Sequence, residues 1–160
     1  LPRPICSAVD RELPPAFAKF LRGALPSLDL KNDLTDEELE MAKKNGGVIG
    51  ISGAPFYVKE RTPTVDDIIG HIDYVKRKVG VDTAGVGLAI FEGHPPEFYH
   101  QFNLPEDRYG KPPWTWPKGI ETIERFPVIM EKLLERGYTE AEVKKVMGEN
   151  FLRVFRQVWG

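Results

Sequence analysis

The feature that most limits the possible folds is a helix-patterned stretch that stops at Gly80 and is followed at once by GVGLAIFEG, Gly85 to Gly93. Val86, Leu88 and Ile90 sit beside glycines that let neighbouring backbone approach closely, so the run reads as a buried strand. A strand after a helix in this way belongs to a βα-type fold. In such folds ligands collect beyond the carboxyl ends of the strands, which directs attention to Ala89, Glu92 and His94.

The stretch before it follows the same order. Thr35 and Glu38 have the spacing of a capping box, Leu39 and Ala42 supply an apolar stripe, and Asn45, Gly46 and Gly47 stop the helix. Val48, Ile49 and Ile51 then predict a strand. Thr64 is placed to cap a second helix, in which Ile68, Ile69, Ile72, Val75 and Val79 follow helical spacing up to Gly80. Helix, strand, helix, strand is the order of parallel α/β packing.

With 160 residues the chain suits one domain and can bury a real core. A net charge of −2 offers no field for nucleic acid or anionic lipid, so neither partner is expected. No apolar run reaches the roughly 20 residues of a membrane helix, and the first residues lack the apolar core of a signal peptide. The chain reads as soluble. Cys6 is the single cysteine, which favours a reducing, cytoplasmic setting while staying compatible with secretion. A start at Leu1 rather than Met leads us to expect a processed, trimmed or partial chain.

Elsewhere the punctuation is uneven. Residues 1–31 contain five prolines and predict one helix from Pro15 to Ala24, with Phe17, Phe20, Leu21 and Leu25 on a shared face. Between Gly93 and Gly119 a long segment rich in proline and aromatics has no period; Phe98, Tyr99, Trp114 and Trp116 either pin it to the body or form a lid or interface. Three helices are expected to close the chain: Ile120 to Phe126, Pro127 to Arg136 ending at Gly137, and one opened by Thr139 with Glu142 as a capping box. That last helix should break near Gly148. A final amphipathic stretch then starts at Asn150 and buries Phe151, Leu152, Val154, Phe155 and Val158 on one side.

Few side chains point to chemistry. The histidines are His71, His94 and His100, and none lies in a dense ligand pattern. His71 sits on a helix beside Ile72 and reads as structural. Glu92, His94 and His100 form a candidate pocket, because a loop could bring both imidazoles together with Glu92 or Glu97. The glycines at 46, 47, 50 and 53 follow a helix rather than opening one, and no Lys-Ser/Thr pair completes a phosphate loop; they read as a helix stop and close strand packing. Lys76, Arg77 and Lys78 read as the solvated last turn of a helix. No serine has the GxSxG setting and Cys6 has no local activating partner, so nucleophilic catalysis has no support.

The runs NDLTDEELEMAKKNGGVIGIS, TVDDIIGHIDYVKRKVGVD, GVGLAIFEG and RFPVIMEKLLERGYTEAEVKKVMGENFLRVFRQVW resemble the carboxyl-terminal portion of the renal or membrane dipeptidase family of zinc metallopeptidases. The resemblance covers residues 32–160 through several separate motifs, and residues 1–31 remain unplaced. It implies an α/β fold, the carboxyl-terminal half of a (β/α)₈ barrel with a helical end. The family activity it implies is dipeptide hydrolysis, in some members with β-lactams, by a water activated between two zinc ions that share a bridging carboxylate.

Carried across residue by residue, the resemblance fails where the chemistry would sit. Ala89 stands at the family's aspartate position in the strand, and a methyl group neither takes nor gives a proton, so an acid/base contribution of ~10²–10⁴-fold would be missing. Asn32 stands where the family has an arginine for the substrate carboxylate, and an amide lacks that charged, two-pronged donor set. The run FLRGALPSLDLKND holds no histidine ligand. No metal ligand of the family is intact, and no zinc is expected to bind tightly.

A full barrel needs ~250 residues, and a partial one leaves open sheet edges. The expectation is therefore a fragment that needs its missing amino-terminal half, a homo-oligomer, or a chain whose residues 1–31 cover the edges. The leading functional reading is a dipeptidase-family chain that is inactive alone. The alternatives are a binding or scaffold protein on the same fold, taking a dipeptide-like small molecule, and a truncated product of a longer enzyme.

Overall fold

The computed structural model describes residues 34–58, 62–90, 93–95, 97–98, 106, 111 and 114–160. Helix α1, Asp36–Lys44, opens with the expected box: Glu38 N donates to Thr35 Oγ1 and Thr35 N donates to the Glu38 carboxylate. Leu39 and Ala42 are its buried residues. Its end is a Schellman arrangement, with Gly46 N donating to Lys43 O at 2.9 Å and Gly47 N to Ala42 O at 2.8 Å. Gly46 takes φ +67°, a conformation that a residue with a Cβ rarely adopts.

Strand β1 follows as Ile49–Ser52. A short helix α2, Pro55–Val58, was not anticipated; it leads toward α3, Val65–Val79. Thr64 and Asp67 form a reciprocal cap at its start. Ile68, Ile69 and Ile72 are fully buried, each contributing ~1.5–3 kcal/mol by leaving water. Beyond Gly80 a 3₁₀ turn, Val81–Thr83, feeds β2, Ala84–Gly87.

The two strands are parallel, pairing Ile49 with Ala84, Gly50 with Gly85, Ile51 with Val86 and Ser52 with Gly87. A parallel pair requires a crossover, and α2 and α3 provide it. Because side chains alternate along a strand, the sheet has two unlike faces. Ile49, Ile51, Ala84 and Val86 meet the core that α3 fills. Gly50, Gly85 and Gly87 make the other face, and the Phe151 ring lies against it so closely that a Cβ on Gly85 would run into the ring.

The carboxyl-terminal part is helical. Pro127 starts α4, Pro127–Glu135, at the position where a missing N–H costs nothing, and Gly137 at φ +85° follows its end. Thr139 and Glu142 cap α5, Glu140–Lys144. A π turn, Lys145–Glu149, kinks at Gly148 and passes into α6, Asn150–Trp159. The kink allows Asn150 Nδ2 to donate to Val81 O and Ala84 O, both at 2.8 Å. One turn on, the Arg153 guanidinium donates to Gly46 O at 2.6 Å and to Asp82 O at 2.9 Å, tying α6 to the end of α1 and the approach to β2.

Several expectations require correction. The strand predicted from Gly85 to Gly93 is shorter, because Ala89 takes φ +51° and turns the chain out of the extended conformation. The helix predicted over 120–126 is a single 3₁₀ turn, Ile123–Arg125: Ile120 is anchored in the core and Gly119 is at φ +102°, leaving only a turn's length before Pro127. In α6 the buried residues are Asn150 and Val154, while Leu152 and Phe155 are exposed. The polar anchors, rather than the apolar pattern, set the rotation of that helix. Lys76, Arg77 and Lys78 do form the last turn of α3 as expected, where Lys76 also pairs with Glu142 at 2.7 Å over the Tyr138 ring and Lys78 with Asp36. The helix predicted from Pro15 to Ala24 lies outside the described residues.

Candidate active site

The place to look for chemistry is the carboxyl end of β1 and β2. Ser52 is the last residue of β1, and its Oγ accepts from Ala54 N at 3.1 Å, starting the turn into α2. Gly53 N continues the ladder by donating to Leu88 O at 2.8 Å. No other residue fits at 53, since a Cβ there would lie 2.7 Å from that same carbonyl oxygen. Ala89 comes next, at φ +51°. A non-glycine residue in this region costs ~1–2 kcal/mol and is found more often as Asn or Asp, whose side chains can bond locally. Ala89 adopts this backbone with a methyl side chain, which has no hydrogen bond to offset that cost.

The other residues singled out from sequence divide in two. Glu92, His100 and Asn32 lie outside the described residues. His94 is described: its ring stacks on Phe98 with centroids 3.8 Å apart and planes 11° from parallel. His71 has the structural role expected of it, with Nε2 at 3.0 Å from Val58 O, linking α3 to α2. Among the described residues no three His, Cys, Asp or Glu side chains come together in a way that could hold a metal ion. Also among them, no helix is long and apolar enough to cross a membrane.

Several perturbed ionisable groups tie separate parts of the chain together. Hydrogen bonds from Lys78 and then Tyr74 hold the Asp36 carboxyl below its ordinary range. Burial first, and then its hydrogen bond to Asp73 at 2.8 Å, push the Tyr138 hydroxyl far up. Glu142 is lowered by Lys76 and by the Thr139 backbone. Each of these groups is satisfied by a structural partner. Asn150 and Arg153 are the anchoring residues that sequence reading passed over, and the only local signal was their place just after the break at Gly148.

A family model for membrane dipeptidases, peptidase family M19, matches residues 25–105 and 113–159. The chain belongs to the membrane dipeptidase family. Among curated relatives it is similar to Dipeptidase 3 of Rattus norvegicus, 28% identical over 127 residues, which is 79% of this chain and 22% of the relative. It is likewise similar to Dipeptidase tcpJ of Claviceps purpurea, 27% identical over 128 residues, 79% of this chain and 25% of the relative. Among solved structures, an amidohydrolase from Pseudomonas aeruginosa superposes with a TM-score of 0.69 at 36% identity, covering 80% of this chain and 41% of that one. The probable dipeptidase PvdM of the same organism gives 0.62 at 19% identity, over 81% and 42%. The chain therefore spans about a quarter of the curated dipeptidases it matches, and its fold is the mixed α/β fold of the dipeptidase and amidohydrolase structures, with a helical carboxyl end. The membrane dipeptidase family is a family of metallopeptidases, and the described residues of this chain do not form a donor set for a metal.

Proposed function

We propose that this chain is the carboxyl-terminal half of a (β/α)₈ barrel of the membrane dipeptidase type and that it does not hydrolyse dipeptides by itself. One observation carries the reading. At the end of β2, where the resemblance implies an aspartate, the backbone takes a left-handed turn at Ala89 and presents only a methyl group. The described residues do not make a donor set for zinc.

The same reading accounts for what the fold leaves open. A parallel sheet is ordinarily covered on both faces. Here Gly50 and Gly87 are exposed and the sheet has only two strands among the described residues. A second copy or an amino-terminal half of the barrel would cover them, and a dipeptide-like molecule would bind beyond the strand ends.

The test is zinc content by elemental analysis, after incubation with excess zinc and thorough desalting, alongside a dipeptide hydrolysis assay. Background zinc with no turnover is the expected result. Near-stoichiometric zinc with turnover would sink the proposal. A binding or scaffold role on this fold is the second reading, motivated by the exposed Gly50 and Gly87, and a dipeptide-induced rise in melting temperature without turnover would select it.

A further inference from the structure

Asn45 and Gly46 form the sequence pair whose peptide bond is most prone to rearrange by itself, and here Asn45 is exposed and Gly46 half-buried at the end of α1. In the reaction the Gly46 backbone nitrogen adds to Asn45 Cγ and gives up its proton to solvent. The Cγ–Nδ2 bond breaks and Nδ2 leaves as ammonia. Water then opens the succinimide at either carbonyl to give aspartate or isoaspartate, so no oxidant or reductant is required.

The structure blocks the first step. At Asn45 ψ is 1°, which turns Gly46 N toward the backbone nitrogen of Asn45 and away from its side chain. Ring closure needs that peptide plane to rotate. Rotation breaks the bond from Gly46 N to Lys43 O at 2.9 Å, and it is opposed by the next peptide, which Gly47 N holds to Ala42 O at 2.8 Å. It is opposed again by Arg153, whose Nη1 donates to Gly46 O at 2.6 Å and whose Nη2 reaches Gly47 O at 3.4 Å. The lock on Asn45 is therefore built partly by α6, from Arg153, 107 positions beyond Gly46.

We infer that Asn45–Gly46 is a self-modification site held closed by the helix-ending hydrogen bonds of α1 and by the Arg153 clamp, and that it opens when α6 lifts from the end of α1. Modification would not be neutral. A new carboxylate at the carboxyl end of α1 opposes the helix dipole. In isoaspartate an extra backbone carbon also displaces the carbonyl that Arg153 holds. Once it has occurred, the lifted state of α6 is favoured and the change does not reverse by itself.

Peptide mapping of Asn45, its aspartate and its isoaspartate during incubation at mildly alkaline pH tests this on the full chain. The samples are the native chain, the chain in urea, and the folded variants Arg153→Ala and Arg153→Lys. Taking the Gly46 N–Lys43 O bond and the Arg153–Gly46 O bond as the two that must break, each disfavours the open form by roughly fivefold, so the native chain should react about 25-fold more slowly than the unfolded one. Arg153→Ala should recover several-fold of that difference, with Arg153→Lys between it and wild type. If Arg153→Ala does not fold by circular dichroism, Arg153→Lys alone carries the comparison. A native rate within about threefold of the unfolded rate would overturn the lock, and folded Arg153 variants reacting no faster than wild type would overturn the role of the clamp.

Discussion

Replacing Asn150 tests the central anchor of the carboxyl-terminal helices. Asn150 is 2% exposed, and its Nδ2 donates to Val81 O and Ala84 O at 2.8 Å each. Alanine would remove that donor from both carbonyls, although Val81 O keeps its bond from Ala84 N. Losing one buried and one partly buried hydrogen bond at ~1 kcal/mol each should cost Asn150→Ala about 2 kcal/mol, a large fraction of a small domain's stability. Asn150→Leu restores volume without donors and should remain as unstable, which separates hydrogen bonding from packing. Asn150→Asp should be the worst at neutral pH, because a carboxylate would face two carbonyl oxygens, and should recover in part in acid as it gains a proton to donate. Urea unfolding followed by circular dichroism gives the midpoint, read with an unchanged slope. An Asn150→Ala or Asn150→Leu protein within about 0.5 kcal/mol of wild type would refute the assignment of Asn150 as a buried double donor.

The strain at Ala89 is testable with Ala89→Gly, which removes the Cβ at φ +51° and should raise stability by about 1 kcal/mol; no gain in thermal melting would mean the turn is unstrained. Ala89→Asp should be tolerated by the backbone yet create no zinc-dependent hydrolysis, and activity from that single change would overturn the proposed function. Gly53→Ala forces a Cβ to 2.7 Å from Leu88 O and should cost ~1–3 kcal/mol, read by the same urea midpoints, with an unaffected midpoint counting against the close approach. For pH, the Asp36 and Glu142 carboxyls are depressed in the folded chain, so their contribution is present above their ordinary values near 3.8 and 4.5 and is lost as acid protonates them. Melting temperature measured from pH 7 downward should therefore fall less steeply in Asp36→Asn than in wild type, and parallel curves would contradict the link.

What the sequence by itself determined lies within a turn or two of each residue. Thr35 with Glu38, Thr64 with Asp67, and Thr139 with Glu142 set three helix starts through bonds to backbone three residues away. Gly46, Gly80 and Gly137 at positive φ mark the stops, and the apolar period of α3 names its buried face. These signals are legible because both partners lie close together in the chain. The family resemblance was legible for the same reason, since it rests on those local motifs, and a family match over most of the chain bears it out.

What only the tertiary structure decided depends on partners far apart in sequence. Asn150 finds its acceptors 69 and 66 residues away, and Arg153 finds Gly46 at 107, so the rotation of α6 follows those bonds and leaves Leu152 and Phe155 exposed against the apolar pattern. Lys76 pairs with Glu142 because α5 packs beside the end of α3. The left-handed turn at Ala89 could not be read from an alanine, a residue with no preference for that conformation. It follows directly on the bond from Gly53 N to Leu88 O, and it turns the chain out of the direction of β2.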